Sequence, residues 1–587
     1  MKMKVKMKQV MKKNTLIFAV MAVAAIACSE KKEITPEVPA QQFVDGKTVL
    51  FATMEQTKAS VDGAGSFTWV AGDKISVYTT GGEFVDFTCT GIKDGKGVFE
   101  AEGEVTVDKV AAYPAGSHSF TNGSLTFNFP SEYEWVEGQT NVPLVARFDE
   151  GAGEISFRHI GGVMKISYSD LPVRAAQLVF TSADKRITGD FTVGAATTAD
   201  AVAEAESGVD EGNVVTIHFP EEEGSAKVFY VPLPTGVYDD IKVALKDAAG
   251  NAVPFTVTKA HSTKNAIERR TVLAMPELKG PKYVVTTELG GPSVKNQNDG
   301  PQATAGVNSV TGLSWDSQGN LWFTDRNRLL RCYGTDGNVK TYQNAAAENV
   351  IWGVAVNSHD EIFYCDKPNK KVFKSVAPYT SQTLVCTLPN QALYPAFDAN
   401  DNLYVTCWDK NVYKINTSTG SYEAITGLGA NPNGIVINSK GEIIVTGSGF
   451  RGIARLNGDG TNSTLAGKYG AKVTDPSDGE AGKPKTADVG ACFGVCVDEN
   501  DYIWWIDYEY CRLRVLVPDD NGDYTKGTVT TVAGSTMKNN GENYADGTGT
   551  AAKFAYTTSV VYNPDKKEFF IADGAYNKAL RKVKVTW

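Results

Sequence analysis

Acidic residues that recur at one position of a repeated pattern are the first candidates for chemistry in this chain. Each ends an apolar run such as Ile503-Trp-Trp-Ile-Asp507, and the set comprises Asp325, Asp366, Asp507 and Asp573. Grouped carboxylates can bind a divalent cation. However, an aspartate that follows a strand commonly accepts backbone N–H hydrogen bonds in the next turn. We therefore predict that these four residues are structural.

Histidine offers little more chemistry. His359 is the only histidine between residue 282 and residue 587, and it lies in a predicted turn. Zinc catalysis needs three protein ligands, so we predict that this lone histidine is solvated. No Gly-x-Ser-x-Gly elbow lies on a strand-to-helix turn, and the sequence has no phosphate-binding loop. The sequence thus predicts no catalytic residue, no metal site and no cofactor.

The elements that would position these residues are six copies of an apolar strand, a turn and a second apolar strand. Their anchors are Asp316, Asn357, Asp398, Asn438, Asp498 and Asn563, spaced 41, 41, 40, 60 and 65 residues apart. Such a period with only strand signals predicts a six-bladed β-propeller. The last copy lacks a fourth strand, and residues 284–290 closely match residues 528–534. We predict that this N-terminal strand closes the ring and removes exposed sheet edges.

Residues that flank the first two strands of each copy would lie at one mouth of the ring. The positions before the first strand are Thr311, Trp352, Leu393, Asn433, Phe493 and Thr558, and those after the second are Arg326, Lys367, Trp408, Ser448, Tyr508 and Gly574. Aromatic faces at such a mouth stack on sugar rings or grip side chains. The predicted ligand-binding residues are Trp352, Trp408, Phe450, Phe493, Tyr508, Tyr510, Arg326, Lys367 and Asn433. Alternatively, Trp352 and Phe493 plug the channel as core residues.

Several short motifs in this half resemble the NHL repeat family over residues 282–587. They are Thr530-Thr-Val-Ala-Gly-Ser535, Asp546-Gly-Thr-Gly-Thr550 and Asn577-Lys-Ala-Leu-Arg581. The third copy departs from the pattern with Tyr394 at the usual glycine and Cys407 at the usual aspartate, and the fourth has Gly447 there. The resemblance implies a six-bladed propeller.

The same resemblance bears on activity. Propellers of this type include a lyase with histidine-bound metal, and related lactonases hold a cation with axial carboxylates. Neither ligand set has a counterpart here, which favours binding over catalysis. The resemblance also implies that two insertions, Lys468–Val489 and Met537–Tyr556, pack over the mouth.

Residues 1–27 are predicted to be a targeting segment. Six lysines precede Asn14, an apolar run follows, and Ala25-Ile-Ala-Cys28 resembles a bacterial lipoprotein signal with lipidation at Cys28. The alternative is an ordinary secretory signal. Residues 28–46 read as a flexible tether. Removing the segment takes away six of 58 basic and none of 68 acidic residues, which leaves a net charge of −16 and argues against a nucleic-acid partner.

The intervening region resembles the fimbrillin-type adhesin family of the Bacteroidetes over residues 48–278. The motifs are Trp69-Val-Ala-Gly-Asp73, Ala111-Ala-Tyr-Pro-Ala115 and Phe157–Ile166. The resemblance implies two β-sandwiches, which we place at residues 47–139 and 140–278. Fimbrillin subunits polymerise after cleavage at a basic residue, commonly arginine. No arginine precedes Arg147, so a capping or stand-alone role is expected.

Eight cysteines follow Cys28, and most fall in predicted blade strands, where we expect buried thiols. Cys492 and Cys496 are expected to point the same way from one strand.

Together these features predict an all-β chain with two N-terminal β-sandwich domains followed by a six-bladed β-propeller. We expect a non-enzymatic outer-membrane lipoprotein at the cell surface, which binds a glycan or protein ligand through the propeller. One alternative is a pilus accessory or tip subunit with the propeller as its head, and another is a metal-dependent hydrolase or lyase. Pilus or polysaccharide-uptake components are possible partners.

Overall fold

The computed structural model describes residues 41–587 apart from 56–67, 148–153, 194–202, 205, 208–210, 261–264, 295–296, 326–327, 345–349, 469, 471–475, 535–543 and 575. The predicted targeting segment, Cys28, most of the tether and Arg326 lie outside the described residues. The described chain is all-β, and its only helices are the short 3-10 segments Pro484–Thr486, Tyr524–Lys526 and Gly549–Ala551. No helix in this part of the chain has the length and apolarity to cross a membrane.

Residues 282–587 form six sheets, the blades of a propeller, as the sequence predicts. Blade 1 comprises Val310–Trp315, Leu321–Asp325, Leu329–Tyr333 and Asn338–Asn344. Blade 2 comprises Ile351–Val356, Ile362–Asp366, Lys371–Ser375 and Thr383–Thr387. Blade 3 comprises Ala392–Phe397, Leu403–Cys407, Asn411–Ile415 and Tyr422–Ile425. Blade 4 comprises Ile435–Ile437, Ile443–Gly447, Gly452–Leu456 and Asn462–Ala466. Blade 5 comprises Cys492–Val497, Ile503–Asp507, Arg512–Val517 and Thr528–Ala533. Blade 6 comprises Thr557–Asn563, Glu568–Asp573 and Ala579–Thr586.

The outer strand of blade 6 comes from the N-terminal side of the propeller. Lys282–Gly290 pairs antiparallel with Ala579–Thr586, which confirms the predicted closure of the ring. Two short strands, Gly300–Pro301 and Gly547–Thr548, extend the outer edges of blades 1 and 6. Because six blades close one ring, blades 2 and 5 face each other across its axis, as do blades 3 and 6.

The Asp or Asn anchor of each blade depends on the residue six positions later. Where that residue has a side-chain donor the anchor is aspartate, in the pairs Asp316–Trp322, Asp398–Tyr404 and Asp498–Trp504, with donor–acceptor distances of 3.0, 3.2 and 2.9 Å. Where it is Phe or Ile the anchor is asparagine, in the pairs Asn357–Phe363, Asn438–Ile444 and Asn563–Phe569. A carboxylate offers a second acceptor oxygen for an indole N–H or a phenol.

The inner strands approach each other so closely that glycine is required on most of them. A Cβ on Gly434 would lie 1.8 Å from the carbonyl oxygen of Phe493 in the next blade. Blade 3 instead carries Tyr394, whose hydroxyl donates to the carbonyl oxygens of Thr311 at 3.0 Å and Thr558 at 2.7 Å. The Tyr394 side chain therefore reaches across the central channel to blades 1 and 6. It explains why this copy departs from the repeat.

The N-terminal domains contain one large sheet and several smaller ones. The first sheet comprises Gln41–Val44, Lys47–Met54, Lys74–Thr79, Phe84–Lys93, Lys96–Glu102, Val107–Tyr113, Leu144–Arg147 and Ile155–His159. It closes on itself because Lys47–Met54 pairs with both Lys96–Glu102 and Ile155–His159. A five-stranded sheet comprises Glu132–Glu134, Gln177–Ser182, Val214–His218, Ile241–Lys246 and Thr258–Ala260. Two three-stranded sheets comprise Gly162–Tyr168, Lys227–Leu233 and Val272–Ala274, and Ser119–Thr121, Ser124–Phe129 and Gly189–Val193. Two strand pairs are Lys185–Arg186 with Glu206–Ser207 and Gly236–Val237 with Ala266–Ile267.

The two N-terminal domains do not divide at residue 139. Leu144–Arg147 and Ile155–His159 belong to the first sheet, whereas Glu132–Glu134 pairs with Val214–His218 of the second domain. Strands from either side of the boundary expected from the sequence thus pair within one sheet. The cause is long-range pairing, which sequence pattern alone does not specify.

The second N-terminal domain contacts the propeller at the turns between the third and fourth strands. Lys246 pairs with Asp520 at 2.5 Å, and the Asn251 side chain donates to the carbonyl oxygen of Lys526 at 3.0 Å. The Phe255 ring lies 5.9 Å from that of Trp504. In an antiparallel blade, this end is opposite to the turn after the second strand. The predicted mouth therefore faces away from the N-terminal domains.

All eight cysteines in the described chain are buried free thiols, as predicted. The expected common direction of Cys492 and Cys496 is wrong. A β-bulge between Cys492 and Val495 changes the register, and the two thiols enter different hydrophobic cores.

Candidate functional site

A lysine held between two tryptophans marks the predicted mouth. The Lys367 ammonium nitrogen lies 4.0 Å from the ring centroid of Trp352 and 4.0 Å from that of Trp408. Trp352 is 8% exposed, and the other two side chains are half-buried. Lys367 follows the second strand of blade 2, and Trp408 follows the second strand of blade 3. The repeat places both after equivalent strands, so neighbouring blades bring them together.

Asn433 fixes the indole of Trp408 by a hydrogen bond. Its side-chain oxygen accepts the indole N–H of Trp408 at 3.3 Å, and its side-chain nitrogen donates to the carbonyl oxygen of Cys492 at 2.9 Å. Asn433 is 0% exposed. It therefore positions Trp408 rather than offering its own surface to a ligand, which corrects the sequence prediction.

A line of aromatic rings continues from Trp352 across the axis. Trp352 of blade 2 meets Phe493 of blade 5 with 6.4 Å between centroids, and Phe493 meets Tyr508 at 4.9 Å. Tyr508 meets Tyr556 at 5.2 Å, and Tyr556 stacks on Tyr576 at 4.5 Å. We define the aromatic strip as Trp408, Lys367, Trp352, Phe493, Tyr508, Tyr556 and Tyr576.

The last two members of the strip were missed by sequence reasoning. Tyr556 precedes the inner strand of blade 6, and Tyr576 lies in the turn after its second strand. Tyr576 is 56% exposed, the largest exposed fraction of any tyrosine in the described chain. Both lie where the repeat places mouth residues in the other blades, so a wider window around each strand would have included them.

Two predicted ligand-binding residues are core residues instead. Phe450 is 0% exposed and Tyr510 is 1% exposed. The Phe450 ring lies where a Cβ on Gly447 would fall, at 2.4 Å. This contact accounts for the glycine that replaces aspartate in blade 4. Phe450 and Tyr510 therefore support the mouth from within.

The alternative that Trp352 and Phe493 plug the channel is only partly met. Tyr394 occupies the axis, together with the buried side chains of Thr311, Leu393 and Thr558. Phe493 stays half-exposed above them. Trp352 is buried in the same core cluster as Leu393 and Tyr394, as the alternative predicts, whereas Phe493 is only partly buried against it.

The recurring aspartates are structural, as predicted. All four are 0–1% exposed. Asp325 accepts the backbone N–H groups of Asn308 and Ser309, and Asp507 accepts those of Gly490 and Tyr510. Burial raises the pKa of Asp507 despite the nearby Arg514, and burial raises the pKa of Asp573 to about 6.

Three fully buried arginines complete these clusters. Each joins the aspartate after the second strand to an aspartate in the preceding loop, in the sets Asp325–Arg331–Asp299, Asp507–Arg514–Asp478 and Asp573–Arg581–Asp546. The Arg514 guanidinium holds the pKa of Asp478 below its usual value, although burial opposes it. These carboxylates are already neutralised by guanidinium groups and N–H donors.

The described parts of the two insertions run mainly along blade edges, and one residue, Tyr556, reaches the mouth. Asp478 accepts the backbone N–H and hydroxyl of Thr531 in the outer strand of blade 5, both at 2.7 Å. Gly547–Thr548 pairs with the outer strand of blade 6. Asp478 and Gly547–Thr548 thus extend outer edges, whereas Tyr556, at the end of the second insertion, lies at the mouth as the family resemblance implies.

His359 lies in an exposed turn, as predicted. Its side chain is 75% exposed, and it pairs with Asp401 at 3.1 Å. Across the described residues, no group of three or more His, Cys, Asp or Glu side chains is arranged to hold a metal ion.

A separate groove of about 450 Å³ opens on the opposite face, between blades 1 and 2. Its aromatic lining is Trp322, Tyr342 and Tyr379. The two tyrosines pack on Trp322 with centroids 5.0 and 4.6 Å away, and Trp322 is 2% exposed. Trp322 is thus covered by the two tyrosines, which are themselves half-buried.

Comparison with known proteins gives no family for this chain. No protein-family model and no curated protein matches it. Among solved structures it is similar to auxiliary nutrient binding proteins from Bacteroides thetaiotaomicron VPI-5482 (17% identity, 78% of this chain, 96% of that chain, TM-score 0.44) and Bacteroides ovatus ATCC 8483 (17%, 72%, 98%, 0.44). It is also similar to virginiamycin B lyase from Staphylococcus aureus (12%, 52%, 100%, 0.36).

Proposed function

We propose that the propeller is a non-enzymatic binding module that takes a glycan on the aromatic strip. The single observation that carries the proposal is the Lys367 ammonium between the rings of Trp352 and Trp408. This arrangement holds the half-buried Trp408 ring and an ammonium donor at the mouth of the propeller, with the buried Trp352 ring on the other side of the ammonium. Flat rings stack on the apolar faces of sugars, and nearby polar groups fix the orientation.

The hydrogen-bonding groups along the strip suit a ligand rich in hydroxyls. Tyr508, Tyr556 and Tyr576 each carry a phenol, which both donates and accepts. The Lys367 ammonium donates only. A protein ligand would instead favour a compact anchor surrounded by a rim that excludes water. A line of rings across the mouth fits a sugar better than such an anchor.

The fate of the acidic residues supports binding over catalysis. Asp325, Asp507 and Asp573 accept hydrogen bonds from backbone N–H groups and form ion pairs with buried arginines. No carboxylate is left at the axial positions, where the related lactonases would hold their cation. We include in the proposal that Cys28 carries a lipid and that the protein is displayed on the outer membrane, with pilus or polysaccharide-uptake components as partners.

The proposal is tested by screening the purified chain on a glycan array and measuring affinity by calorimetry. Trp408→Ala is expected to weaken binding about tenfold, the upper range for one aromatic contact. Tyr422→Ala is the matched control, because Tyr422 is an aromatic residue 42% exposed on the outer strand of blade 3. Binding that survives Trp408→Ala unchanged, or turnover of a glycan or lactone, would overturn the proposal.

A further inference from the structure

The strip continues beyond the Trp–Lys–Trp cluster, and its far end lies in a different blade. Tyr508 belongs to blade 5, whereas Tyr556 and Tyr576 belong to blade 6. Each ring contacts the next, with centroid distances of 4.9, 5.2 and 4.5 Å from Phe493 to Tyr576. We infer that the ligand is an extended oligosaccharide that lies across the ring, with Tyr556 and Tyr576 as a second subsite. This inference rests on the proposed function.

The backbone at Tyr556 is held in an unfavourable conformation. Its φ is +54°, in the left-handed region that bulky residues rarely adopt. Strain of this kind persists only where the surrounding structure imposes it, and it concentrates at ligand-binding sites. The conformation places the Tyr556 ring between those of Tyr508 and Tyr576.

Blade 6 makes room for this backbone. A Cβ on Gly574 would lie 2.0 Å from the carbonyl oxygen of Tyr556, so only glycine fits after the second strand. In the other blades this position carries the side chains of Lys367, Trp408, Ser448 and Tyr508, with Arg326 in blade 1. Blade 6 therefore has no side chain at this position, and Tyr556 and Tyr576 form its part of the mouth surface instead.

Tyr576 is the exposed end of the strip. Its ring stacks on Tyr556 with an interplanar angle of 21°, and 56% of the residue is exposed. One face of the ring thus packs on the protein while the remainder stays in solvent. Trp352 and Phe493 connect this end of the strip to Trp408 across the centre of the propeller. A single sugar would contact one end only, whereas a chain would contact both.

The inference is tested by titrating the full chain with malto-, cello-, xylo- and manno-oligosaccharides from the monosaccharide to the hexasaccharide. We expect affinity to rise with chain length. Tyr576→Ala should weaken hexasaccharide binding about tenfold and leave disaccharide binding unchanged. Trp408→Ala should weaken both, and Tyr422→Ala neither.

The outcomes separate the inference from the function on which it rests. Affinity independent of chain length, or Tyr576→Ala without effect where Trp408→Ala acts, would overturn the extended site and leave the glycan-binding function standing. Absence of binding to every array glycan would overturn both. Tyr576 is exposed, so circular dichroism of the variant should match that of the wild type and confirm that the fold is intact.

Discussion

Lys367 and Trp408 form a contact between neighbouring blades, with the ammonium nitrogen 4.0 Å from the indole centroid. The same nitrogen lies 4.0 Å from Trp352 in its own blade. A cation over an aromatic face is attracted by the negative charge of the ring face. The contact therefore fixes Trp408, the most accessible indole of the strip, from one side while Asn433 fixes it from the other.

We expect Lys367→Met to lower both stability and glycan affinity. The change keeps the aliphatic stem and removes two cation–π contacts, each worth about 0.5–1 kcal/mol at sites that are partly exposed. Lys367→Arg keeps a cation and should stay close to the wild type. Urea unfolding followed by tryptophan fluorescence measures the difference. Equal stability of the Met and Arg variants would show that the cation contributes nothing.

Tyr394→Phe is expected to destabilise the propeller without changing ligand affinity. The substitution leaves two buried carbonyl oxygens, those of Thr311 and Thr558, without the donor that joins blades 3, 1 and 6. An unsatisfied buried acceptor costs about 1–3 kcal/mol. Tyr422→Phe, at an exposed position, provides the control. Thermal unfolding measures the loss, and an unchanged Tm would contradict the plug role of Tyr394.

The rule that links each anchor to the residue six positions later predicts a coupled pair in blade 3. Asp398→Asn removes the acceptor of the Tyr404 hydroxyl, and Tyr404→Phe removes the donor. The double variant reproduces the Asn–Phe pair of blades 2 and 6, so it should lose less stability than the two single variants together, by about 0.5–3 kcal/mol. Strictly additive free energies of unfolding would refute the rule.

Stability should respond to pH through Asp498. Burial raises the pKa of Asp498 to about 6, against an ordinary value near 4. Since the folded state holds this proton more tightly than the unfolded state, the associated stabilisation is present below about pH 4 and is lost as the pH rises through about 6.

The comparison with Asp498→Asn isolates this effect from other groups, because asparagine does not titrate and already serves as anchor in blades 2, 4 and 6. The free energy of unfolding of the wild type, minus that of the variant, should fall as the pH rises from about 4 to about 6.5. A difference that is flat with pH, or that rises, would show that Asp498 titrates normally.

Much of the propeller could be predicted because its signals are local. The spacing from Asp316 to Asn563 counts the blades, and the aspartates that end the second strands accept backbone N–H groups within their own repeat. The predicted division at residue 139 failed because sheet order depends on which distant strands pair. Leu144–Arg147 lies beyond that division yet pairs with Val107–Tyr113 of the first sheet.

The candidate site was predicted in part. Trp352, Trp408, Lys367, Phe493 and Tyr508 lie together at one mouth. Phe450 and Tyr510 are also aromatic and also follow second strands, three residues after the strand ends, but their side chains turn into the core. Position relative to a strand indicates which end of the blade a residue occupies. It does not indicate whether its side chain turns towards solvent or towards the next blade.

The sequence by itself determined the six copies and the choice of Asp or Asn at each anchor, because the contacts behind these features lie within one hairpin or one repeat. It also indicated the closing strand, because residues 284–290 match a fourth blade strand, although the partner strand Ala579–Thr586 lies at the other end of the propeller segment. Only the tertiary structure decided that Tyr394 fills the axis and that Tyr556 and Tyr576 extend the strip. Tyr394 finds its partners 83 and 164 residues away. Such contacts exist only once the ring has closed, because closure alone brings the inner strands of opposite blades within reach of one side chain.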